Sequence, residues 1–179
     1  MMKPNKVLLL FGPAGSGKTS TSEMIAKNKG WTHISEDDFW AEIKRNHPPA
    51  EGRTREEQKI VQSLALKKIL ESVSKGKNVV FEFIIYEKPP KPLMFYLEKL
   101  SNKVNVIVKV FRPSMKSLLS RQRIRGKPHD VDVRAARANA KHQLNCLDSK
   151  YIRKEWMIDN SHDSLAKVYE KYFQTIVDR

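Results

Sequence analysis

Eight consecutive residues, Gly12-Pro13-Ala14-Gly15-Ser16-Gly17-Lys18-Thr19, satisfy the spacing G-x-x-x-x-G-K-[ST] in full. Each residue type has a chemical use. Glycines let backbone N–H groups converge on a β-phosphate, the lysine bridges β- and γ-phosphates, and the threonine hydroxyl binds Mg²⁺. The loop follows the apolar run Lys6 to Phe11 and opens a helix extending to about Lys29, with Ser20 in its first turn. The positive end of that helix adds to the cradle. The segment reads as a Walker A loop for the phosphates of ATP and its Mg²⁺.

A bound triphosphate does not say where the γ-phosphate goes. The chain lacks Asn-Lys-x-Asp, Asp-x-x-Gly and Leu-Ser-Gly-Gly-Gln sequences, which argues against a GTPase or a transporter ATPase. A small kinase remains, and it demands a carboxylate to take the proton of an acceptor hydroxyl. Glu36-Asp37-Asp38 follows the apolar run that ends at Ile34. Asp37 is the candidate general base and Asp38 a candidate substrate ligand, although Ser-x-Asp-Asp also suits the cap of a helix starting near Phe39.

A kinase further demands a cationic lid over the transferring group. Ser114 can cap a helix on which Arg121 and Arg125 share one face. With Gly126-Lys127-Pro128-His129 they would form a lid over about residues 121–132, while Arg123 points elsewhere. Another helix from near Asp132 carries Arg134, Arg137 and Lys141, a stripe that fits either a ligand-binding or a solvated face. Arg53, closing the Pro- and Gly-bearing loop from Arg45, is a candidate acceptor ligand. Glu82 interrupts an apolar strand and needs a partner there, hydrated Mg²⁺ or Thr19. Asn160, within Asp159-Asn160-Ser161, would lie beside the adenine, though the same tripeptide suits an ordinary helix-start turn.

These residues need a frame that brings them to one edge. Apolar runs at Lys6–Phe11, Val79–Ile85 and Val104–Phe111, with weaker ones at Trp31–Ile34 and Trp156–Ile158, alternate with amphipathic stretches. That alternation predicts an α/β fold, a five-stranded parallel sheet flanked by helices, with ligands at the carboxyl ends of the strands. Thr54-Arg55-Glu56-Glu57 has the capping-box spacing. Val61, Leu64, Ile69 and Val73 follow near one face, and Gly76 stands where a C′ glycine belongs.

With 179 residues, 40% of them hydrophobic, the chain reads as one kinase-like domain spanning residues 1–179. The net charge of +14 is uneven, with +8 between residues 109 and 141, a stretch that suits phosphates and makes nucleic acid a candidate partner. The stretch from Arg112 to Leu147 contains no aromatic residue on which a base could stack. Cys146 is the only cysteine, so no intrachain disulfide can form. The longest apolar runs have five residues, too few for a bilayer. Together these features point to a cytoplasmic protein without membrane association.

The residues resemble the P-loop kinases that phosphorylate a hydroxyl, and among them the polynucleotide 5′-kinases. Leu9 to Thr21, Trp31 to Phe39 and Arg121 to Arg134 carry the likeness. The resemblance implies an α/β fold with a five-stranded parallel sheet of order 2-3-1-4-5, that Asp37, first of the Asp-Asp pair, is the acceptor base and that Arg121 and Arg125 are lid arginines. The strand-three aspartate of that family is Glu82 here, and Asp130 stands where it has a proline. The same skeleton is similar to chloramphenicol phosphotransferase, gluconate and shikimate kinases and zeta-type toxins. The expected activity is ATP- and Mg²⁺-dependent phosphoryl transfer to a hydroxyl, on a polynucleotide or nucleotide or on a small metabolite or antibiotic. A P-loop ATPase switch that transfers no phosphate is a further alternative.

Overall fold

The computed structural model describes residues 5–46, 53–126 and 132–178. The tip of the loop after Arg45 and the Lys127-Pro128-His129 turn of the expected lid lie outside these residues. Five strands form one sheet in the order β2-β3-β1-β4-β5, and all four pairings are parallel. They are β1 (Lys6–Phe11), β2 (Thr32–Ser35), β3 (Val79–Phe83), β4 (Asn105–Phe111) and β5 (Met157–Ile158). The connecting helices are α1 (Lys18–Lys29), α2 (Glu36–Asn46), α3 (Arg55–Ser74), α4 (Lys91–Leu100), α5 (Met115–Arg125), α6 (Val133–Cys146), α7 (Leu165–Tyr172) and α8 (Gln174–Asp178). The parallel sheet agrees with the sequence pattern, and its order with the one that the resemblance implies.

A parallel sheet covered on both faces needs strands that are apolar throughout, and β1 meets the requirement with Val7 to Phe11 all buried. Because side chains alternate, Val7, Leu9 and Phe11 pack with Ala65, Ile69, Leu93 and Tyr96 of α3 and α4. Leu8 and Leu10 pack on the other face with Ile25 of α1, Val168 of α7 and Phe173. Trp40, Ile43 and Val61 form a smaller cluster between α2 and α3.

The capping box forms, with Thr54 N–H donating to Glu57 Oε2 at 2.7 Å and Glu57 N–H to Thr54 Oγ1 at 3.1 Å. The buried stripe of α3 runs through Val61, Ala65 and Ile69, whereas Leu64 is exposed, a correction to the expected face. Spacing of four keeps those three residues in line, and position 64 falls beside them.

Two boundaries also move. Helix α2 begins at Glu36 rather than near Phe39, because three acids are favoured in a first turn by the helix dipole. Strand β3 ends at Phe83 rather than Ile85. Phe83 pairs with Phe11, and β1 leaves the sheet at Gly12, so no ladder partner remains on that side. Among the described residues, no helix is long and apolar enough to cross a membrane.

Candidate active site

A cavity of about 870 Å³ opens at the carboxyl ends of β1, β2 and β3, and the phosphate loop forms its floor. The loop owes its shape to two close approaches. At Gly12 a Cβ would stand 2.6 Å from the Phe111 carbonyl oxygen, so only glycine lets β1 turn away beside β4. Gly15 has φ of +79°, and a Cβ there would meet Gln122 Cγ at 2.9 Å. Lys18 is buried under the loop, where its ammonium donates to the carbonyls of Gly12 and Pro13 at 3.0 Å each. Ser16 N–H closes a turn onto the Pro13 carbonyl at 3.1 Å. Ala14, Gly15, Gly17, Lys18, Thr19 and Ser20 face the cavity.

Glu82 is buried, 3% exposed, and both of its oxygens are engaged. Thr19 Oγ1 donates to Oε2 at 3.1 Å, and His33 Nε2 lies 3.0 Å from Oε1. The register explains the second contact. Ser35 pairs with Glu82 and His33 with Val80, so His33 and Glu82 project from one face, two positions apart. A threonine hydroxyl that donates to a carboxylate keeps its lone pairs for a cation. Hard oxygen donors in small number, completed by water and phosphate, suit Mg²⁺, and the donor set of Thr19 and Glu82 fits it. Of the two partners expected for Glu82, Thr19 is in place. His33 received no role from the sequence.

Opposite the loop stands the wall formed by α2. Asp37 lines the cavity with its carboxylate 65% exposed, and Arg53 Nη2 lies 3.7 Å from its Oδ1. The Arg53 guanidinium is held over two rings, 4.4 Å from the Trp40 centroid and 5.1 Å from that of Tyr86. Arg53 thus reaches the site. Asp38 is exposed but does not line the cavity, because on a helix starting at Glu36 it is turned about 100° away from Asp37.

Glu36 points inward instead. It is buried beneath this wall, accepts the Tyr96 hydroxyl at 3.4 Å, and its pKa is pushed up to about 7 by burial, opposed by the charge of Arg53.

Helix α5 closes the other side. Arg121 donates to the Asn160 carbonyl at 2.6 Å and the Ser16 carbonyl at 3.4 Å. Arg125 also lines the cavity, and Arg123 does not. The buried Asn160 donates from Nδ2 to the Ser16 carbonyl at 2.7 Å, so its amide braces the phosphate loop. Arg134, Arg137 and Lys141 are exposed and line no part of the cavity. Ala136, Asn139 and Gln143 of the same helix do line it. Gln122 and Gln143 gave no signal in sequence, since a glutamine on an amphipathic helix reads as surface.

The family model described as an AAA domain, AAA_33, matches residues 7–149. The chain belongs to this P-loop family. Solved structures agree on the fold. The tunicamycin resistance protein of Deinococcus radiodurans is 17% identical, with a TM-score of 0.69, and the match covers 93% of this chain and 92% of that one. Shikimate kinase from Acinetobacter baumannii, in complex with shikimate, is 19% identical with a TM-score of 0.63, over 99% and 94% of the two chains. A chain of the Pnkp1/Rnl/Hen1 RNA repair complex is 16% identical with a TM-score of 0.61, over 82% of this chain. This chain spans 46% of that one. At these identities the likeness is one of fold, a P-loop kinase-like fold. No protein of the curated set matches the sequence.

Proposed function

We propose that this protein is an ATP- and Mg²⁺-dependent phosphotransferase that moves the γ-phosphate to an acceptor hydroxyl. The observation that carries the reading is the placement of Asp37 across one cavity from the phosphate loop and Lys18. The loop amides and Lys18 bind and orient the triphosphate. Thr19 and Glu82 would hold Mg²⁺, which when bound neutralises charge on the β- and γ-oxygens. Asp37 takes the proton of the acceptor hydroxyl as its oxygen bonds to the γ-phosphorus, and the bond from that phosphorus to ADP breaks. Arg121 and Arg125, on the facing helix, stabilise charge on the transferring group. Arg53 positions the acceptor beside Asp37.

The first reading of the acceptor is a polynucleotide or nucleotide 5′-hydroxyl, supported by the +8 stretch between residues 109 and 141. A second reading, a small metabolite or antibiotic, is favoured by the stripe of Arg134, Arg137 and Lys141 standing outside the cavity. Transfer of labelled γ-phosphate to 5′-hydroxyl RNA and DNA oligonucleotides, beside nucleosides, sugars and hydroxylated antibiotics, separates them, with Lys18→Ala as the blank. Label on the oligonucleotide that weakens steeply with salt supports the first reading. Label on a small molecule alone supports the second. ADP formation that needs no acceptor contradicts both and favours an ATPase switch.

A further inference from the structure

A second carboxyl stands behind the acceptor wall. Glu36 precedes Asp37 in the first turn of α2, but Glu36 is buried where the Asp37 carboxylate is exposed. Glu36 Oε1 accepts the Tyr96 hydroxyl at 3.4 Å. Tyr96 is itself wholly buried, with its ring centroid 4.8 Å from that of Phe81 and 5.4 Å from that of Phe83, so this partner is fixed. One turn along α2 from Glu36, the ring of Trp40 carries the Arg53 guanidinium at 4.4 Å, and Tyr86 faces the same guanidinium at 5.1 Å. Burying a carboxyl costs free energy that an apolar side chain at the same place would not. The charges that face Glu36 are Asp37 on its own helix and Arg53 ahead of α3, and Tyr96 of α4 and Tyr86, after β3, are the other titratable groups around it. Two carboxyls of unlike exposure thus share one cation.

We propose that Glu36 is a positioning residue for the acceptor site, and that its proton decides which of the two carboxyls Arg53 serves. Protonated, Glu36 puts no charge beneath the wall, and the guanidinium is left to Asp37 and the acceptor. Ionised, it is a buried anion whose pull on Arg53 is weakly screened, and the guanidinium is drawn inward from Asp37. Burial pushes the Glu36 carboxyl up to about 7, so the exchange falls in the neutral range. Loss of the proton loosens the hold on an acceptor as pH rises through about 7. That consequence rests on the reading of Asp37 as base and Arg53 as acceptor ligand, whereas the exchange of Arg53 between two carboxyls does not.

The test is a pH titration of the isotope-labelled full chain from about pH 5.5 to 8.5, following by NMR the Arg53 Nε–H resonance, assigned by its loss in Arg53→Lys. In wild type this resonance should move in one step with a midpoint near 7, and the Glu36 Cδ resonance should share that midpoint. In Glu36→Gln, which holds the side chain neutral, the Arg53 step should vanish. A flat Arg53 resonance in wild type, a step that survives in Glu36→Gln, or a Glu36 midpoint apart from that of Arg53 overturns the proposal. The Glu36 resonance is read in wild type and so decides the matter even where Glu36→Gln does not fold. The second readout is the KM for the 5′-hydroxyl oligonucleotide, or for the small molecule that takes label in its place. It should rise about threefold or more between pH 6 and pH 8 in wild type and stay level in Glu36→Gln, with the KM for ATP unchanged in both. An acceptor KM that follows pH alike in both proteins overturns the positioning role. Label on no acceptor contradicts the phosphotransferase reading instead, and the Arg53 titration still decides the exchange.

Discussion

Arg53 Nη2 stands 3.7 Å from Asp37 Oδ1, with the guanidinium stacked against Trp40 and Tyr86. The pair brings the start of α3 to the first turn of α2, so a cation and a carboxylate face the same cavity from neighbouring elements. An exposed pair at this distance contributes little to stability. Its value lies in placement. The rings fix the plane of the guanidinium, and the carboxylate beside it is left open to the cavity.

The stacked geometry predicts a split in kinetics. Arg53→Lys keeps the charge but loses the planar group that fits between the rings. The KM for the acceptor should rise about tenfold, while the KM for ATP stays within twofold. Steady-state kinetics with each substrate varied in turn checks this. An equal rise in both would mean that the variant disturbs the whole cavity.

Glu36 should make stability depend on pH. Its carboxyl titrates near 7 in the fold, against 4.5 in the open chain, because burial disfavours the charged form. Between these values the folded state holds the proton that the unfolded state has released. The stabilising contribution is therefore full below about pH 4.5 and lost as pH rises through about 7. The span corresponds to on the order of 3 kcal/mol. Denaturant melts of wild type and Glu36→Gln at pH 5 and pH 8 isolate it. Wild type should lose stability relative to the variant on going to pH 8, and parallel behaviour would show that Glu36 is not protonated in the fold.

His33 and Thr19 hold opposite oxygens of Glu82, which predicts a graded dependence on Mg²⁺. Glu82→Gln weakens the carboxylate itself, and His33→Ala removes only the group that orients it. Partners of ligands typically matter tenfold or more. The Mg²⁺ concentration needed for half-maximal nucleotide-induced thermal stabilisation should rise about tenfold in His33→Ala and further in Glu82→Gln. Unchanged midpoints in both would remove Glu82 from the metal site.

The parts of this molecule that the sequence made legible are those governed by neighbours in the chain. The phosphate loop is a contiguous string, the capping box of Thr54 and Glu57 spans one turn, and the parallel sheet follows from apolar runs that alternate with amphipathic stretches. The helix boundary at Glu36 is not legible in the sequence, because a cap and a first turn use the same acidic residues. What stayed hidden depends on long-range packing. The Ala14 N–H donates to the Gln143 side chain across 129 positions, and no local rule distinguishes Gln143 from a surface glutamine. His33 became a partner of Glu82 only once the register of β2 against β3 was fixed. The bond from the Asn160 amide to the Ser16 carbonyl spans 144 positions and has no local signal either. Residues 112–147 contain no aromatic on which a base could stack, and the rings at the acceptor wall, Trp40 and Tyr86, come from other elements.

The central claim is that Asp37 activates an acceptor hydroxyl for attack on ATP. Its most direct test is Asp37→Asn, with nucleotide affinity and acceptor-dependent turnover measured on the same preparation. Nucleotide affinity should stay within about twofold, and turnover should fall by roughly two to four decades. Turnover at the wild-type rate in Asp37→Asn would contradict the account.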